Sequence, residues 1–428
     1  MRVKLFLFAL LASGSLFAQE KPNDPYFEQF QPLPAPKAEG LFLKAGDRLA
    51  ICGDSITEQK MYSRAIETYL TVCTPELDIS VRQYGWGGET AEGFFRRMTN
   101  DTLRFKPTIA TTCYGMNDHK YRPYDEPNAQ WYRDNQTKIV EAFKTAGTRV
   151  VLGSSGCVGS RPFWSADPTV TKDALNMSLC KFRNIDIGIA EKEQVRFADV
   201  FWPMLVADFE STKQYGTNYH IAGKDGVHPA WAGHIVMAAS FLRAFGLDGQ
   251  IGEFIVDLKS NDANVSKGHE LVSFKDGEVK IKSSRYPFCG TGDRAKDDTV
   301  RSGMRFSKMN KDLNRLVLIV KNGQSAKYKI TWGENTKSYT AEDLGRGVNL
   351  ADEFPANPFS AQFDKVDAAV ADKQNYETRQ IKDLFHGREG AADKDMTANL
   401  TEKARKPLVK AIHTAFVPVT HTIKIEAE

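Results

Sequence analysis

The stretch Arg48-Leu49-Ala50-Ile51-Cys52-Gly53-Asp54-Ser55-Ile56-Thr57 passes from an apolar run through a glycine into a polar turn, and helical spacing begins just beyond it. The apolar run has the length of a strand buried on both faces. After it, Tyr62, Ala65, Ile66, Tyr69, Leu70 and Cys73 recur as one face of a helix. Further β-rich runs follow at 79–84, 108–114, 148–152 and 195–201, with helical stripes between them such as Ile139, Val140 and Phe143. This βαβα order predicts an α/β fold whose parallel sheet is covered on both faces. Loops after the strand C-terminal ends of such a sheet gather on one rim, where ligands bind.

Ser55 falls on that rim, where its hydroxyl faces the crevice and its backbone N–H points at an incoming oxyanion. A serine at a strand-to-helix junction also fits an N-cap, so its partners decide. Asp225-Gly226-Val227-His228-Pro229 sets a carboxylate and an imidazole three residues apart, close enough for Asp225 to fix the tautomer of His228. Pro229 is expected to open a helix that Ile235, Ala239, Leu242 and Phe245 bury, holding His228 on the loop before it. Two more rim loops offer donors for a developing negative charge. Gly85-Trp86-Gly87-Gly88-Glu89-Thr90 brings backbone N–H groups close to a substrate, and Gly115-Met116-Asn117-Asp118 brings the amide of Asn117.

Taken in order, GDSIT, GGET, GMND and DGVHP resemble the four blocks of the SGNH, or GDSL, hydrolase superfamily. The resemblance runs from about Leu43 to Leu247, with Ile56 standing where the name-giving motif has leucine. It implies a flavodoxin-like three-layer sandwich around a five-stranded parallel sheet. It also implies Ser55 as nucleophile, an oxyanion hole made by the Ser55 and Gly88 N–H groups with the Asn117 side chain, and neither cofactor nor metal. The activity expected is that of a carboxylic ester hydrolase working through an acyl-enzyme on Ser55, with His228 as base and Asp225 orienting it. Asp54 and Asp118 are expected to brace the loops.

Trp86, Tyr114, His119, Arg161 and Trp164 on or near the rim loops are candidate substrate contacts, since aromatic faces stack on sugars and an arginine meets a uronate. With no long apolar lid segment, these surroundings favour removal of O-acetyl groups from a poly- or oligosaccharide. A short-chain lipase, lysophospholipase-type or aryl esterase is the alternative within the class. A non-catalytic glycan-binding protein on a hydrolase fold is the alternative outside it.

The chain has 428 residues, 41% of them hydrophobic, enough to bury one large core and a second smaller one. Its net charge of +3 gives no concentrated cationic field, so neither nucleic acid nor an anionic membrane is expected as a partner. Arg2 and Lys4, an apolar run and then Ala18 read as a signal peptide over 1–18, which implies a secreted or periplasmic enzyme. A proline-rich linker is expected over 19–42, the catalytic domain over 43–247 and a β-rich accessory region with a helical insertion over 248–428. In that last region, runs at 270–274, 278–283, 316–321 and 327–332 read as antiparallel strands, with Asp276-Gly277 and Asn322-Gly323 as hairpin turns. Residues 357–415 read as helical and 420–425 as a final strand. The six cysteines lack the close spacing of metal ligands or redox pairs.

Overall fold

The structure, a computed structural model, describes residues 21–428; the expected signal peptide, residues 1–18, lies outside them. Strands β1 (Arg48–Gly53), β2 (Ser80–Gln83), β3 (Ile109–Cys113), β4 (Arg149–Gly153) and β5 (Arg196–Ala198) form one five-stranded sheet in the order β2-β1-β3-β4-β5. All its pairings are parallel. Helices α1 (Ser55–Glu58), α2 (Tyr62–Cys73), α3 (Ala91–Asp101), α4 (Glu126–Thr145), α5 (Lys172–Glu193), α6 (Phe201–Tyr215) and α7 (Trp231–Ala244) connect and flank the strands. Alternation along β1 sends Leu49 and Ile51 into a core shared with α2, α6 and α7, and Ala50 and Cys52 into one shared with α3 and α4. The result is the expected three-layer α/β sandwich. Its strand order reverses between β1 and β3, so a crevice opens at the C-terminal ends of those two strands.

Three expectations about local structure are corrected. The strand expected over 195–201 ends at Ala198, because Ser154 Oγ accepts the Val200 and Phe201 N–H groups at 3.1 and 3.0 Å and turns the chain into α6. Pro229 does not start α7, which begins at Trp231 with Ala230 as its cap. Within the expected linker over 19–42, Pro25–Gln29 forms a short 3₁₀ turn that buries Phe27 and Phe30. Their rings lie 5.6 and 6.3 Å from that of Trp202, so aromatic anchors strap this segment to α6.

Beyond α7 the chain builds two further sheets. Strands β6 (Gln250–Asp257), β7 (Asp262–Val265), β10 (Arg315–Lys321) and β13 (Val348–Asn349) pair in the order β13-β10-β6-β7. Strands β8 (His269–Lys275), β9 (Glu278–Ser283), β11 (Lys327–Trp332), β12 (Asn335–Thr340) and β14 (Val419–Ala427) pair in the order β12-β11-β14-β9-β8. The second of these is antiparallel throughout. In the first, β10 runs parallel to β6, against the expectation of antiparallel strands alone.

Asp276 and Gly277 both take positive φ and close the β8–β9 hairpin as expected. Asn322-Gly323 closes no hairpin, since β10 and β11 belong to different sheets. The glycine is required there by the Tyr328 ring, which occupies the space a Cβ at 323 would need.

The helical stretch within this region is the part that bears on the sheet rim. The helix Ser360–Arg379 lies along the outer edge of β2 and continues as a wide turn over Gln380–Phe385. Strand edges expose unpaired backbone groups. Here side chains take them up: Lys373 Nζ and Arg405 donate to Val81 O at 2.6 and 2.9 Å, and Gln83 N donates to Glu377 Oε2 at 3.2 Å. Glu377 is itself buried against Lys373 at 3.0 Å and Arg405 at 2.7 Å.

Candidate active site

The site is assembled from the loops that follow β1, β2 and β3 and the loop that precedes α7. Asp54, not Ser55, caps α1: its Oδ1 accepts the Ile56 N–H at 3.0 Å. That leaves the Ser55 hydroxyl uncommitted to the helix, and its Oγ lies 2.8 Å from His228 Nε2. On the other side of the ring, His228 Nδ1 lies 2.7 Å from Asp225 Oδ2. An ionised carboxylate only accepts, so Nδ1 carries the proton and Nε2 presents its lone pair to Ser55. Asp225 Oδ1 accepts the Val227 and His228 N–H groups at 2.9 and 2.8 Å. Burial raises the Asp225 pKa, but these two N–H groups and the His228 ring outweigh it and hold the carboxyl below its ordinary value. Gly226 takes φ +84°, and a Cβ there would collide with Ser160, so this turn admits only glycine without strain.

The second and third loops are tied to the first. Trp86 N donates to Gly53 O at 3.0 Å, and Gly87 N donates to Glu58 Oε2. Asp118 takes the Ala91 N–H at 2.8 Å and the Gly115 N–H at 2.9 Å, one with each oxygen, and so clamps loop two to loop three. Asn117 Nδ2 donates to Glu89 O at 3.0 Å and lies 3.4 Å from Asp54 Oδ2, while Tyr121 OH donates to Asn117 Oδ1 at 3.2 Å. The side-chain plane of Asn117 is thereby set, and one of its amide hydrogens has only the long contact. Gly88 is exposed at φ +72°, with open space where a Cβ would stand.

Beneath this rim lie three buried acids. Burial pushes Asp54 up to about 7, with Asp118 and Glu89 adding to the rise against the Ile56 N–H. Asp118 is also pushed up to about 7 by burial, against its own backbone hydrogen bonds. Glu89 is raised by burial despite its pairing with Arg97 at 2.5 Å. Asp54 and Asp118 do what was expected of them, bracing loops.

Of the residues expected to touch substrate, the structure brings Trp164 and Trp86 to the rim. The Trp164 ring is 5.9 Å from that of His228 and is 36% exposed, and its neighbour Phe163 is 84% exposed. Trp86 is half-buried, with its ring 4.9 Å from His386 and 5.1 Å from Lys382 Nζ. Arg161 is exposed on the loop after β4 and makes no hydrogen bond to the site among the described residues. Two expectations fail. Tyr114 is fully buried, stacked 5.4 Å from Phe94 with its hydroxyl donating to Glu89 at 2.9 Å, because alternation beyond β3 sends it to the α3–α4 side. His119 is 1% exposed with Nδ1 bonded to Met116 O at 2.5 Å, and burial lowers its pKa to about 4, leaving a neutral core ring.

Sequence reading missed Glu58, Lys382 and His386. Glu58 Oε2 holds the loop of Gly88 through Gly87 N, and its Oε1 takes Lys382 Nζ at 2.6 Å from the distant helical stretch. His386 Nε2 reaches Asp101 at 2.7 Å, anchoring the same stretch to α3. Nothing in the local sequence of Lys382 or His386 marks a partner some three hundred residues away.

A serine hydroxyl, an oriented imidazole and a carboxylate in one hydrogen-bonded line, on the rim of a parallel sheet and beside amide donors, make a constellation suited to acyl transfer. Residues 51–236, which run from β1 through Ser55 and His228 into α7, match the GDSL-like Lipase/Acylhydrolase family. Residues 51–236 therefore carry a domain of that family, which supports a carboxylic ester hydrolase. A relative, the acetylxylan esterase of Geobacillus stearothermophilus, is 25% identical over 224 residues, which is 48% of this chain and 96% of that protein. The solved structure of a gut microbial diltiazem-metabolizing enzyme has the same fold, with a TM-score of 0.73 at 20% identity over 92% of this chain and all of that one.

Proposed function

We propose that the chain is an exported serine esterase that removes O-acetyl groups from carbohydrate through an acyl-enzyme on Ser55. The observation that carries this reading is the unbroken line Ser55 Oγ to His228 Nε2 to Asp225, at 2.8 and 2.7 Å. His228 Nε2 takes the Ser55 proton as Oγ attacks the ester carbonyl, and the negative charge moves onto the carbonyl oxygen. The Ser55 and Gly88 N–H groups and the loosely engaged amide hydrogen of Asn117 stabilise that charge. The C–O bond to the alcohol then breaks, and the alcohol leaves with the proton from His228. Water enters, gives a proton to His228 and displaces the acyl group, returning the proton to Ser55. Asp225 stabilises the imidazolium at each stage without itself becoming protonated.

The carbohydrate part of the proposal draws on the acetylxylan esterase relative and on Trp164 beside His228, whose exposed face suits a sugar ring. Export draws on the N-terminal sequence alone and is checked by assaying culture fluid and periplasm for the protein. The experiment on activity has two arms. Hydrolysis of a chromogenic acetate is compared between the wild type and Ser55→Ala, and acetate release is followed from acetylated xylan and acetylated pectin. We expect about a 10⁴-fold or greater loss in Ser55→Ala and acetate release by the wild type. Equal rates in both proteins reject the esterase and leave a glycan-binding protein. Activity on long-chain or aryl esters without acetate release from glycans rejects the substrate and favours the exposed Phe163–Trp164 pair as a site for apolar groups.

A further inference from the structure

Away from the rim, a cavity of about 280 Å³ opens beside the short helix Val300–Phe306, whose Gly303 seats that helix against Ala232 and Ile235 of α7. Its wall carries Arg294, Arg301, Arg305, Lys308 and Lys311 and one carboxylate, Asp352. Phe288 and Met304 give it an apolar side.

The cations are poorly neutralised. Asp352 Oδ1 already accepts from Asn310 Nδ2 at 2.9 Å and lies 3.7 Å from Arg294. Arg305 donates to the neutral hydroxyl of Tyr215, and Lys308, Lys311 and Arg301 pair with no carboxylate among the described residues. Arg301 and Arg305 stand four residues apart on one helix, a spacing at which like charges repel. In addition, Arg301 Nε is buried without an acceptor among the described residues, and an unmet donor on a charged group is costly. Burial first, and the Arg294 charge second, move the Arg301 pKa below its ordinary value. An oxyanion would satisfy the donor and neutralise the cluster together, since guanidinium groups match carboxylate, sulfate and phosphate oxygens in pairs.

We propose that this cavity binds a small organic oxyanion, the charged group held by Arg301 and Arg305 and the apolar face of the molecule resting on Phe288 and Met304. The volume sits just under the roughly 300–1,000 Å³ of small-molecule sites, larger than a bare inorganic ion needs and close to one sugar ring with its acidic group. The proposal does not depend on the esterase reading.

Titration calorimetry on the full chain, with glucuronate, glucose 6-sulfate, glucose 6-phosphate, inorganic phosphate and neutral glucose as probes, tests it. We expect one molecule of an acidic sugar to bind per chain, at least tenfold tighter than glucose or inorganic phosphate. Ser55→Ala should bind it equally, and Arg301→Gln with Arg305→Gln should weaken it at least tenfold. The exposed pair Lys308→Gln and Lys311→Gln, which leaves the fold untouched, should weaken it several-fold and decides the matter if the arginine variant fails to fold. The proposal is overturned by no binding of any acidic sugar, by binding undiminished in the variants, or by inorganic phosphate binding as tightly as the sugars.

Discussion

Asp225 serves two masters, one oxygen on the His228 ring and the other on the backbone of its own turn. Asp225→Asn keeps the turn's acceptor but loses the fixed tautomer, so kcat should fall about 10²–10⁴-fold with little change in melting temperature. A fall in kcat below tenfold would show that the backbone alone orients His228. Asn117→Ala should lower kcat about 10²–10³-fold while KM moves little, because the amide acts on charge that develops only after attack. A rise in KM at constant kcat would instead make Asn117 a ground-state contact. The line from Ser55 through His228 to Asp225 was legible because each end belongs to a short contiguous block whose turn chemistry is local. Tyr114 and His119 were misread for the same reason: a neighbour in sequence is not a neighbour in space once the chain alternates faces. Tyr114 turns away with the pleat, and the turn after Gly115 folds His119 into the core.

Elements far apart in sequence meet at the Gly88 loop. Lys382 holds Glu58, and Glu58 holds Gly87 N, so the helical stretch supports one face of the crevice. Lys382→Ala should lower kcat several-fold with wild-type folding, and Lys382→Arg should restore much of it; steady-state kinetics on a short acetate ester read both. Unchanged kcat in Lys382→Ala would leave Glu58 to hold the loop unaided. At the β2 edge, Glu377 is 1% exposed between Lys373 and Arg405. Glu377→Ala takes the 2.7 Å partner from the buried Arg405 and leaves Lys373 with Glu67 alone, and should cost about 3–5 kcal/mol in urea unfolding; a cost under 1 kcal/mol would mean that the edge is held by other contacts. The five strands of the hydrolase sheet were readable because each is a compact apolar run before a turn. The parallel β6–β10 pairing was not, since β6 pairs with a strand separated from it by β7, β8 and β9. Asn322-Gly323 misled because the dipeptide specifies a reversal of direction without specifying the partner strand.

Across the whole molecule, buried carboxyls beneath the rim link stability to pH. Asp54 and Asp118 reach about 7 when folded, burial being the main cause, and about 4 when unfolded. Between those values the folded chain holds protons that the unfolded chain has released. Their contribution is therefore full below about pH 4 and is lost as pH rises through about 7. Urea unfolding of Asp54→Asn should show a smaller decline in stability from pH 4.5 to 8 than the wild type; an identical decline would place the ionised Asp54 in a better-solvated setting. The helical stretch supports the rim through Lys382, Glu58 and Gly87 N, while Phe27 and Phe30 strap the segment before the family domain to α6. The central claim is that these supports deliver one activated hydroxyl. Intact-mass and peptide analysis after treatment with phenylmethanesulfonyl fluoride tests it most directly. We predict a single adduct on the peptide bearing Ser55, nearly absent in His228→Ala; an adduct on another residue, or equal labelling of Ser55 without the imidazole, would contradict it.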